Sequence, residues 1–264
     1  MKKLTVQEAD ILAGKFRSQI GLNPNDPINI KTFIRKHQIT AMYRPLSVNS
    51  YGISCKSNSG KMFVLINSNS TRGRQHFTFA HELYHLYFDK KPTPHMCGVV
   101  STVEEKNADL FASSLLLPRE GVYAMISNEE ILNHKISLAT VLRIEQMFQV
   151  SRSTLLIRLK NIGIISESQL KELQSIPVKE SAKEYGYDTS LYRSGNEGLF
   201  IGDFGEKARI LYESERISEG HYMELLNMIS DEREENEDCT RCRCDKSFCK
   251  RWFIVFTSKY ISRI

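Results

Sequence analysis

Apolar residues recur along this chain in two rhythms. From Val6 to Ile20 they return every three to four positions, which predicts an amphipathic helix. After the turn signal Asn23-Pro24-Asn25-Asp26-Pro27, a shorter helix is expected over residues 30–37. The rhythm then tightens: residues 39–43, 51–55 and 61–66 have the β-branched and aromatic content of short strands, and Ser57-Asn58-Ser59-Gly60 has the composition of a hairpin turn between the last two. Helical spacing returns in residues 77–88 and 104–118, then in two amphipathic helices over 138–148 and 151–159 joined by Gln149-Val150. Further on, Gly202-Asp203-Phe204-Gly205 reads as a turn, with helical patterning from Ala208 onward. A small sheet set against helices is an α+β arrangement.

The helix containing Phe77, Phe79, Ala80, Leu83, Leu86 and Phe88 has too little polar surface to lie outside the core, yet it carries His81-Glu82-Leu83-Tyr84-His85. That pentapeptide puts two imidazoles at i and i+4 on one helix face with a carboxylate between them. Burying those groups unpaired would cost several kcal/mol. A metal ion would pair them, as in the two-histidine zinc clamp of a metallohydrolase. Core histidines bonded to backbone carbonyls would satisfy the same five residues, so the decision falls to residues downstream. A two-histidine catalytic site takes its third ligand from a carboxylate on a neighbouring helix. In residues 104–118, Ala108, Phe111, Ala112, Leu115 and Leu116 form one stripe that Pro118 ends, and Glu104 and Glu105 flank it at similar angles. Asp109, one turn beyond Glu105, favours Glu105, because a carboxylate there could accept the free N–H of a ligand histidine. Glu82, adjacent to a ligand, suits the general base. Tyr84, Tyr87, His95 and His134 are candidate oxyanion donors by residue type.

Three blocks carry a more specific signal. The first is Arg74-Gln75-His76-Phe77-Thr78-Phe79-Ala80-His81-Glu82-Leu83-Tyr84-His85. The second is Glu105-Lys106-Asn107-Ala108-Asp109-Leu110-Phe111-Ala112, continuing to Leu115-Leu116-Leu117-Pro118. The third is Val150-Ser151 with Leu155, Arg158 and Leu159. They resemble the Arg-x-x-Phe-Thr-x-Ala-His-Glu-x-x-His, Glu-x-x-Ala-Asn-x-Phe-Ala-x-x-Leu-Leu-Met-Pro and Val-Ser-x-x-x-Leu-x-x-Arg-Leu segments of the ImmA/IrrE-type metallopeptidases. The resemblance spans residues 74–159 and extends more weakly from about residue 10 to about residue 228. It implies a zincin-like catalytic domain with a small antiparallel sheet packed on helices, followed by a helix-turn-helix-like region and a C-terminal lobe. It also implies an intracellular zinc-dependent protease whose substrate is a regulatory protein, commonly the helix-turn-helix repressor of a mobile element or stress regulon, which it would relieve as an anti-repressor. Carried over by position, His81, His85 and Glu105 are the ligands of one catalytic Zn2+ and Glu82 is the general base. Tyr84 stands where the family often has Gly, and Asp109 where Asn is common; neither departure removes a catalytic group.

Composition fits a cytoplasmic protein: 264 residues, 41% hydrophobic and 25% charged, suffice for one sizeable core plus a smaller lobe. The opening residues are interrupted by Gln7, Glu8 and Asp10 before an apolar run forms, so no signal peptide is expected, and no stretch has the length of a membrane span. The expected divisions are a catalytic domain over 1–128, the helix-turn-helix-like region over 129–165, a lobe over 166–230 and an acidic, then Cys-rich tail over 231–264. Cys239, Cys242, Cys244 and Cys249 are candidate ligands of a second, structural metal, though their spacing matches no standard pattern. The net charge of +5 is modest. Arg152, Arg158 and Lys160 on the second helix of the pair could contact phosphates but form no base-reading set, so direct nucleic-acid binding is not expected. Two alternatives to a protease stand: a metal-bound module that controls a repressor by association, and a DNA-binding regulator.

Overall fold

The computed structural model describes residues 2–47, 49–89, 95–97 and 102–229, the 95–97 strand by its backbone alone. In chain order these form α1 (Val6–Gln19), α2 (Ile30–Lys36), β1 (Ile39–Arg44), β2 (Gly52–Lys56), β3 (Met62–Asn67), α3 (Arg72–Phe88) and β4 (His95–Cys97). There follow α4 (Val103–Leu116), α5 (Arg119–Tyr123), α6 (Asn128–Leu132), α7 (Leu138–Phe148), α8 (Arg152–Asn161), α9 (Glu167–Ser175) and α10 (Val178–Glu184). A short 3-10 turn (Ser190–Tyr192), β5 (Phe200–Ile201), α11 (Phe204–Glu213) and α12 (Glu219–Ile229) complete the set. The described parts of residues 1–30, 70–89 and 99–195 make one compact unit and those of 31–69, 90–98 and 196–264 another. The expected boundaries at 128 and 165 fall inside the first unit, because helices distant in sequence pack there on the same pair, α3 and α4.

In the first unit, α1 starts at a capping box in which Thr5 accepts the Glu8 N–H and Glu8 reaches back to the Thr5 backbone. Its buried face, Ala9, Ala13, Phe16 and Arg17, turns to α4. The Phe16 ring meets Tyr87, Phe88 and Phe111 edge-on, with centroids 5.0, 6.2 and 5.8 Å away, so α1, α3 and α4 share one aromatic cluster. The Arg17 guanidinium is buried and donates to the carbonyls of Leu115, Asn23 and Asp26, tying α1 to the end of α4 and to the 23–27 turn. Burial lowers its pKa to about 10, so the cation persists at neutral pH.

The α7–α8 pair has the expected helix-turn-helix form, with Gln149 in the left-handed conformation (φ 55°) and Ser151 capping α8. Its turn lies against the start of α3. A Cβ at Gly73 would come 2.8 Å from the Ser151 nitrogen, and His76 Nδ1 donates to the Gln149 carbonyl at 2.8 Å. The arginines that could have met phosphates are interior. Arg152 pairs with the buried Glu145, which also accepts the Tyr192 hydroxyl at 2.7 Å. Arg158 donates to the Leu117 carbonyl at 3.0 Å and pairs with Asp10. Of the three basic residues, Lys160 alone is exposed, in a pair with Glu167. The chain past α10 returns to α3: the Arg72 N–H donates to the Arg193 carbonyl at 2.9 Å, Thr71 bridges Ser194, and Gln75 Nε2 donates to the Gly195 carbonyl at 2.8 Å.

The second unit holds a five-stranded sheet of order β4-β2-β3-β1-β5. The hairpin between β2 and β3 forms at the expected turn, where Gly60 takes φ 84° and the Ser57 N–H donates to the Lys61 carbonyl at 2.8 Å. The sheet is mixed, not purely antiparallel as expected, because β1 joins the far side of β3 and runs parallel to it, Ala41 opposite Val64. A hairpin specifies how its two strands pair but leaves open which edge a third strand joins. Strand β5, from far downstream, adds antiparallel to β1. Met42, Ile53, Phe63 and Leu65 pack with Phe204 and Ala208 of α11 and Leu225 of α12 in one core. No described helix is long and apolar enough to cross a membrane.

Helix α5 packs so closely on the turn after α1 that a Cβ at Gly121 would lie 2.2 Å from the Pro24 carbonyl oxygen. We expect Gly121→Ala to destabilise the fold by about 1–3 kcal/mol through overpacking. A lowered urea midpoint with an unchanged m-value is the expected reading, and an unchanged midpoint would mean that the turn yields without cost.

Candidate metal centre

Helix α3 starts at Thr71, which caps the Arg74 N–H, and runs 17 residues to Asp89. Its middle turns are buried all round: Phe79, Ala80 and Leu83 are apolar, and His81, Glu82 and His85 lie among them, Glu82 completely buried. Helix α4 starts at Thr102, whose hydroxyl accepts the Glu105 N–H at 3.3 Å, so Glu105 sits in the first turn. A carboxylate is favoured there by the unpaired N–H groups of a helix start.

The packing of α3 on α4 brings three side chains to one point. His81 Nε2 and His85 Nε2 lie 3.2 Å apart. Glu105 Oε2 is 3.3 Å from the first and Oε1 3.5 Å from the second. Glu105, and not Glu104, belongs to this group, whose potential ligand atoms all lie within 4.8 Å of one another. The outer nitrogens are held as well: His81 Nδ1 contacts Asp109 Oδ1 at 2.9 Å and His85 Nδ1 contacts Asp89 Oδ2 at 2.7 Å. A carboxylate can only accept, so each Nδ1 carries the proton, and in the neutral imidazoles each Nε2 presents a lone pair. Two lone pairs and a carboxylate facing one another in a buried site repel unless a cation stands among them. Two neutral imidazoles and one carboxylate form the donor set of a catalytic divalent metal, so the residues fit such an ion.

Residues 34–160 match the model of an M78 peptidase domain described as IrrE N-terminal-like. The match places the likeness to the ImmA/IrrE-type family on residues 34–160, just under half of the chain. The match runs from α2 to α8 and takes in the strands β1–β3, the α3–α4 pair and the helix-turn-helix-like pair. The family is one of metal-dependent peptidases, and His81, His85 and Glu105 are the group among the described residues that could hold the metal. A comparison with curated proteins finds no match.

The other candidates have different surroundings. Tyr84 is buried, and burial pushes its pKa up. Tyr87 is half-exposed with its ring edge-on to Phe16. His134 is exposed just beyond α6, with φ 48°. The His95 side chain and the cysteines 239, 242, 244 and 249 lie outside the described residues. Sequence reasoning missed Asp89, the carboxylate on His85. Its signal was available: it stands four residues after the second histidine, where a helix end lets it fold back on the ring.

Outer carboxylates of this kind are typically worth 10–100-fold in metal affinity. Asp89 is largely buried (23% exposed) while Asp109 is 58% exposed, so solvent screens the second contact more. Asp89→Ala is expected to weaken metal binding by about 10–100-fold and Asp109→Ala by less, measured by competition with a chromophoric chelator. Equal affinities in wild type and Asp89→Ala would deny that carboxylate a role in orienting His85.

Proposed function

We propose that this chain is a zinc-dependent endopeptidase that acts in the cytoplasm on one regulatory protein, a helix-turn-helix repressor of a mobile element or stress regulon. The reading rests on one observation: two Nε2 lone pairs and the Glu105 carboxylate converge in a buried site of an M78 peptidase domain. We assign His81, His85 and Glu105 as ligands, and zinc as the ion from the two-imidazole, one-carboxylate donor set. When bound, the ion supplies Lewis acidity toward water and the scissile carbonyl.

The remaining work falls to side chains. Glu82, adjacent to the His81 ligand on the same helix, takes a proton from the attacking water at its carboxylate and returns it to the leaving amine. The Glu82 side chain is fully buried, which withholds bulk water from its carboxylate. Asp109 and Asp89 keep both ligand imidazoles in the tautomer that leaves Nε2 free. Repressor identity is carried by the family resemblance and by no contact within this chain.

Glu82→Gln tests the reading, since it keeps every ligand and removes the base. It should retain one metal ion per chain by elemental analysis and lose roughly 10²–10⁴ in cleavage rate of a purified repressor encoded beside it. If the variant still relieves repression in cells as well as wild type does, proteolysis is excluded and control by association takes its place.

A further inference from the structure

A cavity of about 720 Å³ opens in the first unit where α1 passes the end of α4 and the start of α5. Its volume falls in the range that takes a small organic molecule, roughly 300–1,000 Å³. His81, His85 and Glu105 are not among the described residues that line it. Ser114, at its wall, stands nine positions beyond Glu105 on α4, about 13 Å away along the helix axis.

Three features of the wall point to an anion. The first is the buried guanidinium of Arg17. The carbonyls of Leu115, Asn23 and Asp26 accept from its terminal N–H groups, its Nε–H is buried and unmet, and no carboxylate is in ion-pair contact with it. The Asp26 carboxylate acts on it at longer range and is itself engaged by the Asn23 N–H at 2.9 Å. Neutral carbonyls satisfy donors but leave a buried positive charge unbalanced. The second feature is Ser114, also buried, whose hydroxyl meets no hydrogen-bonding group of the described residues. The third is Gly14, in the interior of α1. Glycine weakens a helix interior, yet a Cβ here would meet nothing within 4 Å, so no neighbour demands its absence. The carboxylates at the wall are already answered. Asp10 pairs with Arg158 and, at 3.4 Å, with Arg119, and Glu120 is exposed, where solvent and salt screen it. Ile11, Leu22 and Pro24 add apolar surface.

We propose that this cavity binds a small organic oxyanion, a carboxylate or phosphate monoester with an apolar body: Arg17 and Ser114 take the charged group, and Ile11, Leu22 and Pro24 the body. Seated there, the ligand joins α1, which precedes the family-matched segment, to the end of the helix that carries Glu105. The site is separate from the metal centre and does not depend on what that centre hydrolyses.

The test is isothermal titration of the full chain with hexanoate, with hexyl phosphate and with uncharged 1-hexanol. At least one of the two anions is expected to bind once per chain, the tighter of them telling carboxylate from phosphate, and hexanol about 10-fold or more weaker than it. Ser114→Ala, which deletes one hydrogen bond to a charged group, should weaken that anion about 10-fold. Gly14→Leu, which sets a side chain at the cavity wall where the backbone tolerates one, should abolish its binding while the helical circular dichroism is kept. Failure of both anions to bind at millimolar concentration overturns the proposal. So does hexanol binding as tightly as the anions, which would leave an apolar groove. Anion binding that both variants leave unchanged overturns it as well, because the ligand then sits elsewhere, as on the metal centre. Ser114→Ala decides the matter should Gly14→Leu not fold.

Discussion

Two imidazole lone pairs and a carboxylate held 3.2–3.5 Å apart inside apolar packing are the constraint on which the first unit depends. Left to themselves these groups would move apart, and a small displacement of α3 on α4 would relieve them. Much of that unit consists of contacts that forbid the displacement. Phe16 and Arg17 of α1 brace one side, the first through the aromatic cluster and the second through carbonyls at the end of α4 and the 23–27 turn. The α7–α8 turn meets α3 at Gly73, and residues 193–195 close over its first turn through backbone hydrogen bonds and Gln75.

Polar groups buried for this purpose are matched one by one. Each imidazole has a carboxylate on its outer nitrogen, and Arg152 and Arg158 have Glu145 and Asp10. A buried charge without a partner is strongly destabilising, so such pairs act as locks on register more than as net sources of stability. They explain how basic residues on α8 came to be interior. The helix-turn-helix form packs here against the start of α3, with its arginines turned toward the unit's own carboxylates and carbonyls.

Much of the fold and of the centre was legible in the chain. The periodicity of residues 6–20, 77–88, 104–118 and 138–159 gave helices where they occur, and the Ser57–Gly60 turn gave its hairpin. Hydrophobic spacing and turn chemistry are local, so a linear reading captures them. The histidine pair was legible for the same reason: four residues of helix put both rings on one face whatever surrounds them.

What only tertiary structure decided involves partners brought from elsewhere in the chain. The edge that β1 joins, and with it the parallel pairing in the sheet, follows from neighbours that no local pattern names. The separation of Glu105 from Glu104 required the rotation of α4 against α3, and the burial of Arg152 and Arg158 required acceptors found on α7 and α1. Asp89 reads as an ordinary polar residue until its contact with His85 is seen. The sequence by itself determined which groups could bind a metal, because ligand chemistry and helical spacing are written in adjacent residues. Their convergence, orientation and bracing came from packing, because distances between segments far apart in the chain are set by the whole core at once.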